Sequence, residues 1–266
     1  MNKLFKILKA FRLLAAQPSL INHILESDDV YKKQILKKYP QYLSLPVISI
    51  GNFFMRQTVY PYAFLEGGSL PTDLALLRSL AAGIKDCNYL EIGSWRGESL
   101  ANVAPFAKKC TSLNLSDEEM KSMGLPDHYI NQHYFFSKKF SNIETIRGNS
   151  LTYDFSRLEK SFDLVFVDGD HHYSSVKKDT ESVFSVLKNE NSIIVWHDYA
   201  KNPLTPRHEV LAGILEGTPA HLRKHLYHVS NTLCAIYIRK DLQAQDLKDK
   251  TQPELVFKAE LNAEKL

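Results

Sequence analysis

The chain has little cysteine, no long apolar run and no dinucleotide-type glycine spacing, and each absence removes a class of protein. Three cysteines, Cys87, Cys110 and Cys234, are scattered through 266 residues. That spacing suits neither a disulfide framework nor a zinc site, so buried thiols in a reduced compartment are expected. No apolar stretch reaches the roughly 20 residues of a membrane-spanning helix. Lys3, Lys6, Lys9 and Arg12 interrupt the apolar residues at the start, which argues against an exported leader and for a soluble, cytoplasmic protein. The formal net charge is only +3, with no Lys/Arg run in the candidate core, so no nucleic-acid partner is expected. The spacing G-x-G-x-x-G does not occur, which counts against a nicotinamide oxidoreductase. Internal repeats and low-complexity tracts are also missing.

What is present is an alternation of short apolar runs and amphipathic stretches. Strands are predicted at 88–92, 111–115, 143–147, 164–167, 192–196, 226–229 and 232–238, the last two as a hairpin around Ser230-Asn231. Leu164–Val167 and Ile193–Trp196 are apolar without alternation, as strands covered on both faces are. Helices are predicted between them: one from Ser69 as N-cap, with Pro71 early in it, to Gly83 as its stop, then 98–108, 174–187 and about 208–222. The pattern predicts an α/β fold: a doubly wound, mostly parallel, seven-stranded Rossmann-like sheet with an N-terminal helical extension. The expected organisation is an extension and connector over 1–66, a sheet domain over 67–239 and a charged tail over 240–266, in which Leu255–Leu261 has some strand character. The extension begins with a basic amphipathic helix over the first sixteen residues, and a second helix is expected over about 20–38. Leu4, Ile7, Leu8 and Phe11 share a face in the first helix, which either packs on protein, including a second subunit in a homodimer, or lies on a membrane surface.

Two stretches carry chemistry. In the first, a strand runs into Glu91-Ile92-Gly93-Ser94-Trp95-Arg96-Gly97, placing an acidic residue and a glycine turn at a strand's carboxyl end, where open α/β sheets bind ligands. A carboxylate there suits a cationic ligand better than a pyrophosphate. In the second, Asp168-Gly169-Asp170-His171-His172-Tyr173 follows one apolar strand and His197-Asp198-Tyr199 follows the next. Acids and imidazoles are thereby brought to the same sheet edge as Glu91. A histidine is suited to take a proton from a hydroxyl near neutral pH, and Asp168 and Asp198 are hard oxygen donors. Other side chains have structural readings: His172 as a cap or solvent-facing residue, His197 as a hydrogen-bonded core histidine, Trp95 and Tyr173 as packing residues, Asp179 as an exposed helix position.

Glu91-x-Gly93-x-x-x-Gly97, together with the strand order and the second acidic motif, resembles the class I S-adenosylmethionine-dependent methyltransferases over roughly Gly67 to Arg239. The resemblance implies that Glu91, Gly93 and Gly97 surround the methionine half of S-adenosylmethionine. Asn114 and Asn149 stand where the family often has acidic residues toward the ribose and adenine, and an Asn carbonyl accepts the same hydrogen bonds. D-G-D-H-x-Y with the later H-D-Y is similar to bacterial O-methyltransferases of sugars and other small molecules. This similarity implies methyl transfer to a small-molecule hydroxyl, with His171 as general base, Asp168 beside cofactor and acceptor, and Asp198 orienting the acceptor. It also implies Asp168 and Asp198 as ligands where Mg2+ or another divalent cation is used. Relatives that bind a metal carry Asn as a third ligand, where this chain has Tyr199. The alternative is a non-catalytic cofactor-binding module on the same fold.

Overall fold

The computed structural model describes residues 3–16, 28–65, 67–158, 161–247 and 254–265. The chain divides into two compact units, residues 1–43 and 44–266. The first contains α1 (Lys3–Ala16) and α2 (Asp28–Lys38). Helix α2 has Asp28 and Asp29 in its first turn and Lys37 and Lys38 in its last, matching the helix dipole, and it stops ahead of Pro40. The expected helix over 20–38 is thus seen from Asp28, and residues 17–27 lie outside the described residues.

In the second unit the strands are β1 (Val47–Ile48), β2 (Asn88–Ile92), β3 (Lys109–Asn114), β4 (Ile143–Arg147), β5 (Leu164–Val167), β6 (Ile193–Trp196), β7 (Ala200–Asn202), β8 (Thr205–Pro206), β9 (Leu226–Val229), β10 (Ala235–Tyr237) and β11 (Ala244–Gln245). Nine of them form one sheet in the order β11-β1-β9-β10-β6-β5-β2-β3-β4, and β7 with β8 makes a separate hairpin. Strands β4, β3, β2, β5 and β6 run parallel. Strand β10 is antiparallel to both β6 and β9. All residues of β5 and β6 are buried, which is why their sequences carry no alternation. The seven expected strands are all present. The sheet is extended at one edge by two that sequence patterning did not find, β1 and β11, each of two residues. The sheet therefore takes in residues on both sides of 67–239. Leu255–Leu261 forms no strand.

The second unit also holds α3 (Pro71–Ala82), α4 (Glu98–Val103), α5 (Asp117–Ser122), α6 (Asp127–Ile130), α7 (Tyr173–Val186) and α8 (His208–Gly217). Helix α3 is capped at Leu70 rather than at Ser69: the Asp73 carboxylate accepts from the Leu70 N–H at 2.7 Å. The acid that closes this turn is itself completely buried. Asp179, expected to be exposed on α7, is buried too. It packs behind Gly169, where an added Cβ would lie 3.5 Å from its Oδ2.

The strand order reverses at β2, whose neighbours are β3 on one side and β5 on the other. A crevice opens outside the carboxyl ends of the strands at such a point. Gly93 follows β2 and Asp168 follows β5, so both sequence motifs meet at this reversal.

Candidate active site

Gly93 is required by the fold itself. Its φ is +81°, and a Cβ there would collide with the carbonyl oxygen of Asp168. The Gly93 loop and the Asp168 loop therefore touch backbone to backbone, a contact that only glycine allows. Gly97 (φ +76°) opens α4, and a Cβ on it would strike the Ser137 side chain. The segment after α6 covers this loop, with the Tyr134 and Phe136 N–H groups donating to the Trp95 and Arg96 carbonyls. Trp95 stacks on Tyr129 with centroids 5.1 Å apart, and the Arg96 guanidinium lies 4.0 Å above the Trp95 ring. The indole Nε1 of Trp95 is buried without a hydrogen-bond partner, a donor that sequence reading did not single out.

Glu91 is buried within the sheet. The Tyr89 hydroxyl donates to its Oε2 at 2.5 Å and the Ser99 hydroxyl to its Oε1 at 2.8 Å. Burial pushes the carboxyl up to about 7, against the opposing hydrogen bonds from Tyr89, Ser99 and Ser94. The native state thus binds more protons than the unfolded chain between the ordinary value of 4.5 and about 7. Stability is fully present below that window and falls as pH rises through it, by about 3 kcal/mol in all. Glu91→Gln is expected to flatten this slope and to be the more stable protein above pH 7. Urea midpoints of both proteins at pH 5 and pH 8 measure it, and parallel pH profiles would contradict it.

The acidic loops converge on His197. Its Nδ1 lies 3.1 Å from Asp168 Oδ1 and 3.1 Å from Asp198 Oδ2, and its Nε2 lies 3.2 Å from Asp73 Oδ2. Burial alone would lower the pKa of the ring. Asp168, Asp198 and Asp73 outweigh it and hold the ring well above its ordinary value. Asp198 is likewise opposed by burial, but His197, His171 and Arg207 keep its carboxyl below the ordinary range. His171 Nε2 is 3.1 Å from Asp198 Oδ2, and Arg207 is 3.5 Å from Asp198 Oδ1. Asp198 has a left-handed backbone (φ +53°), uncommon for a residue with a side chain and tolerated best by Asp and Asn.

The structure brings Asp168, His171 and Asp198 together and adds His197, Asp73 and Arg207. His197 is a buried, hydrogen-bonded histidine as expected, but its partners are the acids of this edge. His172 is exposed at the N-cap of α7 and pairs with Asp170, whose other oxygen accepts from the Ser175 hydroxyl. Tyr173 donates its hydroxyl to Glu216 at 2.8 Å, in keeping with a packing residue. Tyr199 is buried with its hydroxyl accepting from the Leu45 N–H at 2.9 Å, which commits it to the core. Asn114 ends β3, its backbone carbonyl accepts from the Gly148 N–H, and its side-chain Nδ2 is buried without a hydrogen-bond partner. Asn149 accepts the Leu151 N–H on its own side chain, an Asx turn after β4.

Residues 90–199, the segment holding most of this edge, match the family model described as a methyltransferase domain. No curated protein sequence matches the chain. Solved structures that it resembles include YcgJ from Bacillus subtilis, with 20% identity over 49% of this chain and 53% of that one and a TM-score of 0.35. The N-methyltransferase NodS from Bradyrhizobium japonicum, in complex with S-adenosylhomocysteine, is 20% identical over 48% of this chain and 60% of that one, with a TM-score of 0.36. The O-methyltransferase from Bacillus cereus, in complex with S-adenosylhomocysteine, is 12% identical over 83% of this chain and 96% of that one, with a TM-score of 0.44. The chain thus spans little more than half the length of the first two. Sheet order and the matched domain together give a Rossmann-like methyltransferase fold.

Proposed function

We propose that the protein transfers a methyl group from S-adenosylmethionine to a hydroxyl of a small acceptor. The observation that carries the reading is the meeting of the Gly93 loop with the Asp168 and Asp198 loops at the strand-order reversal, inside the segment matched by a methyltransferase domain. The buried Trp95 Nε1, on the loop that follows β2, is a donor without a partner and suited to a polar ligand. The cofactor, when bound, supplies an activated methyl group. Gly93, Gly97, Glu91, Asn114 and Asn149 are the residues we assign to holding it.

In this reading His171 takes the hydroxyl proton as the acceptor oxygen attacks. Its Nε2 is already held by Asp198, so the ring is oriented and the positive charge it gains lies beside a carboxylate. Asp168, held by His197, fixes the opposite side of the acceptor position. A sugar hydroxyl is the acceptor class we favour, on the similarity of Asp168-Gly169-Asp170-His171 and Tyr173 to sugar O-methyltransferases.

The donor set also fits a divalent cation. Asp168, His197 and Asp198 each offer one atom, all within 4.8 Å of one another. The contact from His197 Nε2 to Asp73 is the outer hydrogen bond that directs the other ring nitrogen to a metal. His197 would then be the third ligand, in the role Tyr199 cannot take. A cation there would lower the pKa of the acceptor hydroxyl.

The test is transfer of a labelled methyl group from S-adenosylmethionine to a panel of sugars and other small hydroxylated compounds, with Mg2+ and with chelator. Transfer to one class is expected, reduced by chelator where the cation is used. Cofactor binding without transfer to any acceptor would favour the non-catalytic module.

A further inference from the structure

Helix α1 plays no part in the chemistry above, yet all of its charged side chains are of one sign. Its fourteen residues include Lys3, Lys6, Lys9 and Arg12 and no acid. Leu4, Phe5, Ile7, Leu8 and Phe11 are exposed at 64%, 58%, 50%, 60% and 68%, and no residue of the helix is buried. At about 100° per residue, Leu4, Ile7, Leu8, Phe11, Leu14 and Ala15 fall in one arc of roughly 120°. Lys3 and Arg12 border that arc, and Lys6 and Lys9 lie opposite it. Phe5 and Leu13 sit among the cations.

We propose that α1 docks the protein on an anionic lipid surface. The helix is about 21 Å long, too short to cross a hydrocarbon core of about 30 Å, and none of the described helices is long and apolar enough to do so. It would lie in the plane of the interface, with the apolar arc in the acyl region and the bordering cations at the headgroups. Charge selects this occupant over a second copy of the chain. Pairing two such faces would set the bordering Lys3 and Arg12 of one helix against those of the other with no acid in the helix to offset them, whereas anionic headgroups offset them directly and leave Lys6 and Lys9 in water.

The test is sedimentation of the full chain with extruded vesicles, phosphatidylcholine alone or phosphatidylcholine with 30 mol% phosphatidylglycerol, at low and high salt. Two variants accompany it: Lys3→Glu/Lys6→Glu/Lys9→Glu/Arg12→Glu, and Leu8→Glu/Phe11→Glu. All the altered side chains are exposed, so the fold of the second unit should persist in both, which near-UV circular dichroism checks. Binding is expected only with the anionic vesicles, weakened by salt. Each cation removed should cost roughly fivefold in affinity, so the fourfold charge reversal should abolish it. Leu8→Glu/Phe11→Glu should also release the protein. No binding to anionic vesicles, or binding kept by both variants, would overturn the proposal. So would a dimer of the wild-type chain that Leu8→Glu/Phe11→Glu converts to monomer without any vesicle binding, which would assign the face to a second copy.

Discussion

Replacing His171 by alanine is expected to lower the rate of methyl transfer by roughly 10²–10⁴-fold, the usual worth of a positioned general base. Cofactor affinity should be unchanged. His171 touches the carboxylate of Asp198, just after β6, whereas the proposed cofactor residues lie in or just after β2, β3 and β4. Its ring is partly exposed, so truncation leaves no cavity and should change stability by less than about 0.5 kcal/mol. The neighbouring His172 is the control. It is more exposed, stands at the N-cap position of α7 without a side-chain capping bond and pairs with Asp170, so His172→Ala should keep most of the rate. Single-turnover rates with saturating cofactor measure both. Equal rates for His171→Ala and wild type would remove His171 from the chemistry, and a large loss in both variants would point to the loop's structure rather than to one base.

Asp73→Ala is expected to be strongly destabilising, by about 3–5 kcal/mol. The wild-type carboxylate accepts the Leu70 N–H at 2.7 Å and the Leu233 N–H at 2.9 Å, and meets His197 Nε2 at 3.2 Å. The Cys234 thiol also points to it, at 3.6 Å. Alanine removes a completely buried acceptor and leaves the half-buried Leu70 and Leu233 donors without it, while the His197 ring remains between Asp168 and Asp198. One side chain thus ties the start of α3, the loop before β10 and the end of β6 together. Asp73→Asn keeps an acceptor and should lose less. Denaturant midpoints rank the two variants, and transfer rates measured well below their melting temperatures separate stability from function. Lost transfer in folded Asp73→Asn would mean that the acid also orients His197. An Asp73→Ala protein as stable as wild type would contradict the account of this buried cluster.

The parts of the fold that were legible in the sequence are those fixed by local pattern. Leu164–Val167 and Ile193–Trp196 read as buried parallel strands because burial on both faces leaves only apolar side chains, and the polar groups following them could only lie at the strand ends. Two-residue strands such as Val47–Ile48 and Ala244–Gln245 carry no period to detect, and they form because the sheet edge is already there to pair with. The Asp73–His197 contact joins residues 124 positions apart. In sequence Asp73 is an ordinary acid in a helix's first turn, and only the placement of α3 against the end of β6 gives it a second task. Asp179 follows an amphipathic pattern as a polar position, but Gly169 offers no side chain to keep it at the surface. Its carboxyl is pushed up to about 6 by burial. Glu91 was readable as an acid at a strand end. Its enclosure by Tyr89, Ser94 and Ser99 depends on which side chains turn inward, which spacing alone did not reveal.

The central claim is that the crevice at the β2–β5 reversal binds an adenosyl cofactor, and calorimetric titration of the protein with S-adenosylhomocysteine tests it most directly. The account predicts saturable one-to-one binding in the micromolar range, weakened at least tenfold in Asn114→Leu, which removes a polar group at the end of β3. No heat of binding at millimolar ligand, from protein whose circular dichroism shows it folded, would contradict it.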